Sequence, residues 1–270
     1  MGMFSYLSGD EVISVCLPDA SNVVVGSVLW GLPEELFSPA YWCTQYLYRG
    51  GTVPDRTHRL GETFEEEVAA CVLGGYGIPA EVGLAAFQRL REANLIYSSV
   101  SQLEIENVLR EPMLISGHAV RYRFWAQKAR YLALVMNRLT TINVETHSPQ
   151  ALRALLMEMP GIGPKTASWI VRNWLGANDV AILDIHVVRA GRLMRLFGDG
   201  DRVESNYLSM EARFLQLARA INVPAGDLDA LMWSLMRETP TLVSGLLGEP
   251  KPSRLSQRGR QEEQRQLQLA

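Results

Sequence analysis

Hydrophobic positions along this chain follow a short period near the N-terminus and a helical period almost everywhere after it. Residues 10–30 hold two β-branched runs on either side of Pro18-Asp19-Ala20-Ser21-Asn22, which predicts a small hairpin closed across that break. Beyond it the pattern reads as helix. SPAYWCTQYLYR (38–49) has a serine cap, proline at the first helical position and a Gly-Gly stop. Thr63 opens FEEEVAACVLGGY, with its glutamates in the first turn and Phe64, Val68, Cys71 and Val72 at helical spacing. Pro79 opens AEVGLAAFQRLREA, and residues 99–110 and about 120–139 continue the period. Ser148 caps PQALRALLMEM, KTASWIVRNWLG ends at Gly176, and Asp184 opens IHVVRAGRLMRLF. Two further helices are expected near 204–220 and 225–238, about ten in all. The expected organisation is a β-containing segment over 1–35, a helical core over 36–245 with a hairpin at about 150–176, and a polar Gln/Arg-rich tail over 246–270.

Between two of these helices lies Pro160-Gly161-Ile162-Gly163-Pro164, too short for anything but a tight turn. Its glycines permit positive φ and close approach of a ligand. The following helix begins near Pro164, so its unsatisfied N–H groups and positive dipole end would face a phosphate. A nucleotide-binding P-loop fits poorly: Pro164 separates Gly163 from Lys165, and the preceding segment is helical in pattern. A hairpin that merely reverses the chain stays open on this evidence alone.

Composition adds little until it is divided along the chain. The net charge of −3 is unremarkable, but residues 1–117 carry 6 basic against 15 acidic residues and residues 118–195 carry 11 against 4. The basic block coincides with the glycine turn, and local charge is what attracts a polyanion. Three cysteines without CxxC spacing give neither a disulfide framework nor a metal site. No apolar run reaches the ~18 residues a bilayer span needs. MGMFSYLSGDEVISV lacks a basic start followed by an apolar block, so an intracellular location is expected.

Lys165 falls in the first turn of its helix, where a positive charge is unfavourable. The expected consequence is an amine that loses its proton more easily; moving a lysine from ~10.4 to ~8 takes about 3 kcal/mol. Asp184, 19 positions later, follows the apolar stretch Val180–Leu183 and reads both as a helix cap and as an ionised, aimed carboxylate. His186 reads as a core histidine or as a phosphate contact.

PGIGPKTA followed by LDIHVVR resembles the helix-hairpin-helix, Gly/Pro-rich loop and aspartate signature of the endonuclease III-like (HhH-GPD) DNA glycosylase superfamily. Upstream, FEEEVAACVLGGYGIPAEVGLAAFQRL resembles that superfamily's helix–wedge loop–helix. YRFWAQKARYLALVMNRL resembles the helix leading into the hairpin, and GDLDALMWSLMRETP the late helix of its 8-oxoguanine branch. The resemblance covers about residues 36–240 and implies a mainly α, two-lobed helical fold with a small N-terminal β element. It implies a bifunctional 8-oxoguanine DNA glycosylase/AP lyase in which Lys165 attacks C1′ and Asp184 stabilises charge on sugar and lysine. Gly161, Gly163, Thr166 and His186 would hold DNA, and Tyr76 would fill the gap left by a flipped base. Trp169, Trp233, Asp229 (or Asp227) and Gln45 would form the base pocket. The partner implied is double-stranded DNA containing a damaged base, met by a monomer without a membrane. No cofactor is implied: no cysteine follows Cys71, so the four-cysteine iron–sulfur loop is absent, while the hairpin leaves room for a structural monovalent cation. Two alternatives stand beside this reading, another damaged base and a non-catalytic helix-hairpin-helix module.

Overall fold

The computed structural model describes residues 2–51, 59–75 and 77–249. Tyr76 and most of the Gln/Arg-rich tail lie outside the described residues. The chain divides into two units, the first made of residues 1–53, 183–206 and 216–270 and the second of residues 54–182 and 207–215. Among the described residues the architecture is mainly helical with three two-stranded sheets.

The first unit begins with two hairpins. β1 (Gly2–Ser8) pairs antiparallel with β2 (Glu11–Leu17), from Gly2 opposite Leu17 to Ser8 opposite Glu11. β3 (Val23–Val25) pairs with β4 (Val28–Leu29). This corrects the single hairpin expected across 18–22. Gly9 (φ +61°) and Gly26 (φ +57°) supply the left-handed residues that tight hairpin turns need, so each run closes on its nearer neighbour. Residues 18–22 form a loop in which Asp19 Oδ1 accepts from the Ser21 N–H and hydroxyl.

α1 (Pro39–Tyr48) starts at Ser38, whose Oγ accepts from the Tyr41 N–H at 3.0 Å. α8 (Ile185–Leu193) packs on α10 (Ala225–Glu238), which also meets α1 and the short α11 (Pro240–Leu246). Tyr46 of α1 donates to Asp227 of α10 at 3.1 Å.

The second unit holds α2 (Phe64–Leu73), α3 (Ala80–Glu92), α4 (Gln102–Arg110), β5 (Met113–Ile115), β6 (His118–Val120), α5 (Trp125–Leu139), α6 (Pro149–Met157) and α7 (Pro164–Leu175). Their apolar faces share one core; Val68, Leu90, Ile105, Val135, Leu152 and Ile170 are all fully buried in it. Burying each such side chain is worth about 1.5–3 kcal/mol, which outweighs the mediocre helix propensity of the β-branched ones. The β5–β6 hairpin fills the gap between the helices expected over 99–110 and about 120–139, where no strand was expected. Ser116 and Gly117 both take positive φ (48° and 78°), the geometry of a two-residue hairpin turn, so α5 starts at Trp125 rather than near 120. α9 (Val203–Ala220) has non-helical torsions at Asn206 and contributes its middle to this unit.

Two buried carboxylates brace α7. Glu67 accepts from the N–H groups of Leu60 (2.6 Å) and Gly61 (3.1 Å) and from Asn173 Nδ2 of α7 (2.7 Å). Glu211 accepts from Ser168 Oγ of α7 (3.2 Å) and the Ala181 N–H (2.9 Å), and pairs with Arg153 of α6. A buried carboxyl group needs such hydrogen bonds, and Glu211 has a counter-charge in Arg153 as well.

Candidate active site

The α6–α7 hairpin turns where the sequence placed it. Met159 and Ile162 close the turn with bonds to Leu156 O (3.0 Å) and Met159 O (3.2 Å), and the Ile162 side chain is buried. The two glycines have different tasks. Gly161 takes φ +80°, and a Cβ there would lie 2.2 Å from Tyr131 Cδ2 of α5. Gly163 caps α7 with φ −92°, and a Cβ there would meet nothing within 4 Å. Gly161 therefore locks the turn onto α5, and Gly163 leaves the entrance to α7 uncovered, with no side-chain cap bond.

Pro164 opens α7, so Lys165 and Thr166 are its next two residues and are half-buried. Ala167, Ser168, Ile170 and Val171 face the core, which leaves Lys165 and Trp169, one turn apart, on the less buried face. Trp169 rests on the C-terminal end of α2: a Cβ on Gly74 would lie 3.0 Å from its ring. That end of α2 is held by side chains of the 120s. Lys128 Nζ donates to Val72 O (2.5 Å) and Gly74 O (3.3 Å), and Tyr122 donates to Leu73 O (2.5 Å). A cation at a helix C-terminus is favourable and satisfies otherwise unpaired carbonyls. Burial, and next the charge of Lys165, pull the Lys128 amine down to about 8.

Lys128 was not singled out as a site residue in the sequence. The helical period over about 120–139 marked no one cation among its basic residues. Glu67 was legible in retrospect, because it sits on the stripe of Phe64 and Cys71 that the core buries.

In the first unit, Asp184 caps α8. Its Oδ1 accepts from the N–H groups of His186 and Val187, both at 2.9 Å. Both expected readings thus remain compatible: one oxygen holds the helix, and Oδ2 takes no part in the cap. His186 is half-buried beside it in the first turn. Asp229 is 2% exposed inside α10, while Trp233, one turn later, is 39% exposed and carries the Arg237 guanidinium 4.6 Å from its ring centre. Gln45 lines an open groove with Met3, Phe4, Pro33, Glu34, Thr44 and Tyr48. Neither Asp229 nor Trp233 lines that groove.

Among the described residues no group of three or more His, Cys, Asp or Glu could hold a metal ion, and no helix is long and apolar enough to cross a membrane.

Residues 56–223 match the Ogg-HhH family model, described as 8-oxoguanine DNA glycosylase. The chain belongs to the 8-oxoguanine DNA glycosylase family. The part that matches this glycosylase family contains the whole hairpin, Lys128, Lys165 and Asp184, and excludes β1–β4, α1 and α10. The chain is similar to an "8-oxoguanine DNA glycosylase/AP lyase" of Saccharolobus islandicus, 31% identical over 132 residues, which cover 46% of this chain and 62% of the relative. A protein of the same description from Thermoplasma volcanium is 29% identical over 182 residues, covering 66% of this chain and 81% of the relative. The crystal structure of the 8-oxoguanine DNA glycosylase of Thermotoga maritima is similar with a TM-score of 0.58 and 25% identity, covering 76% of this chain and 97% of that one.

Proposed function

We propose that this glycosylase-family chain excises 8-oxoguanine from double-stranded DNA and then nicks the strand as an AP lyase. The observation that carries the reading is Lys165 at the uncapped start of α7, beside a glycine turn pinned to α5. Phosphate binds at the N–H groups of Gly163 and Thr166 and the hairpin backbone, a grip indifferent to sequence.

In the proposed reaction the neutral Lys165 amine attacks C1′. The C1′–N9 bond breaks, and the base departs with the bonding pair and is protonated. Opening of the sugar ring converts the adduct into an iminium ion; loss of a C2′ proton then expels the 3′-phosphate, and water releases the lysine. Asp184 supplies a fixed negative charge as positive charge develops on the sugar and on nitrogen. The flipped base is received by Trp169 and Trp233, with Asp229 or Gln45 on its edge, while Tyr76 fills the vacated stack. His186 meets a phosphate. This chemistry needs an amine and a carboxylate and calls for no iron–sulfur cluster or organic cofactor; a monovalent cation at the hairpin would serve only to bind backbone phosphate. The protein acts as a monomer, inside the cell, with residues 36–245 as its working part.

Borohydride trapping on a duplex with a single 8-oxoguanine tests this. A covalent adduct with the native chain that disappears in Lys165→Gln is expected. No adduct, or an undiminished one in the variant, overturns the mechanism. Parallel duplexes with other single lesions decide the base.

A further inference from the structure

The segment that leads from α7 to Asp184 has no regular secondary structure, yet Val180, Ala181 and Leu183 are fully buried. Buried backbone outside helix and sheet must find its partners elsewhere. Both groups of Ala181 find them on one face of α9. The Ala181 N–H donates to Glu211 Oε1 at 2.9 Å, and the Tyr207 hydroxyl donates to the Ala181 carbonyl at 2.7 Å. Residues four apart on a helix share a side, and the non-helical torsions at Asn206 fall just before this pair.

Glu211 Oε1 has a second donor. Ser168 Oγ of α7 reaches it at 3.2 Å, so one oxygen atom joins the lysine helix to the buried segment. Oε2 pairs with Arg153 of α6, the other arm of the hairpin. Ser168, Glu211 and Tyr207 are buried, and all of these contacts lie inside the second unit. Ser168 stands three residues after Lys165, and Ala181 three residues before Asp184. Satisfying the Ala181 N–H alone would need no link to α7, since any buried acceptor would do. The shared oxygen does more: it fixes this backbone against the helix that carries Lys165.

We propose that Glu211, together with Tyr207, is a positioning residue for excision: it fixes, against the Lys165 helix, the point from which the chain runs on to Asp184. The inference rests on Lys165 and Asp184 being the amine and the carboxylate of the proposed reaction. The role calls for an acceptor oxygen and not for a charge. Placement matters to such chemistry, because an error of about 1 Å can slow a reaction about 100-fold.

The test compares two double variants of the full-length chain in single-turnover excision of 8-oxoguanine, with protein in excess over duplex. Arg153→Met with Glu211→Gln removes the ion pair but keeps an oxygen for Ser168 and Ala181. Arg153→Met with Glu211→Met removes that oxygen too. The first is expected to stay within about twofold of the native rate constant, and the second to fall about tenfold or more with DNA binding unchanged. The amplitude of the reaction reports the folded fraction and is read separately. Lost amplitude with unmoved rate constants would mean that Glu211 only stabilises the fold, and equal slowing in both would make the charge the cause; either result overturns the proposal. Tyr207→Phe deletes a single hydroxyl and decides the matter even if Glu211→Met fails to fold. Its excision is expected to slow about threefold, and an unchanged rate constant overturns the inference. Amide hydrogen exchange reads the link without any activity. In Tyr207→Phe it should quicken at Ala181 and at the His186 and Val187 amides that Asp184 caps, but not at Val135 of α5. Quickening confined to Ala181 overturns the inference. A native chain that excises nothing, in which Tyr207→Phe still spreads the faster exchange to His186 and Val187, would instead locate the failure in the proposed reaction.

Discussion

The ring of Tyr131 occupies the space that a side chain on Gly161 would need. The clash distance is 2.2 Å, and Gly161 is also left-handed at φ +80°. Gly161→Ala is therefore expected to lose about 3 kcal/mol in urea unfolding, combining overpacking with backbone strain. Adding Tyr131→Ala should restore the steric part and leave about 1 kcal/mol of strain. Gly163→Ala, in open space, should cost about 1 kcal/mol or less yet weaken DNA binding by covering the start of α7.

Arg153 and Glu211 form an ion pair that is nearly buried, with side chains 13% and 4% exposed. Removing Arg153 alone leaves Glu211 with Ser168 and the Ala181 N–H but no counter-charge. Arg153→Met is expected to destabilise the fold by roughly 3–5 kcal/mol. Arg153→Met with Glu211→Gln should recover much of that, as a thermal denaturation series would show.

Asp184→Asn preserves an oxygen that can accept from the His186 and Val187 N–H groups, so α8 should stay capped and the melting temperature should move by only a few degrees. Excision is expected to fall about 100-fold or more while binding to 8-oxoguanine DNA persists. Binding lost together with stability would make Asp184 a cap and nothing else.

Trp169→Ala separates the pocket from the lyase. If the ring stacks on the base, excision of 8-oxoguanine should fall about 10–100-fold, the equivalent of one base–aromatic contact. Cleavage of a preformed abasic site, which has no base to stack, should change little.

Burial raises the Cys43 thiol to about 11 and also holds the Cys71 thiol well above its ordinary value, whereas Cys16 is exposed. Thiol titration of the folded protein at pH 8 should give one fast-reacting group, and three in denaturant. A raised thiol favours the folded state below pH ~9 and loses that contribution as pH climbs toward about 11, so Cys43→Ala should flatten the alkaline fall in stability by about 2 kcal/mol.

The caps at Ser38, Thr63, Ser148 and Asp184, the α6–α7 turn and the position of Lys165 on α7 could all be read in the sequence, because each is settled by residues within a turn of one another. Strand pairing was read less well. Which run joins which depends on where a left-handed residue falls: Gly9 and Gly26 decided it against the more conspicuous Pro18–Asn22 break, and the Ser116-Gly117 pair closed β5 on β6.

What the chain could not announce by itself is whatever joins residues far apart in number. Lys128 reaches Val72 across 56 positions, Asn173 reaches Glu67 across 106, and Tyr131 meets Gly161 from another helix. Such contacts arise from packing several helices at once, and no local spacing encodes them. Sequence alone determined that a lysine stands at the start of a helix after a glycine turn. Tertiary structure decided that Lys128 and the Trp169 ring, one turn after that lysine, meet at the same end of α2, because only burial in a shared core brings α5 and α7 together there.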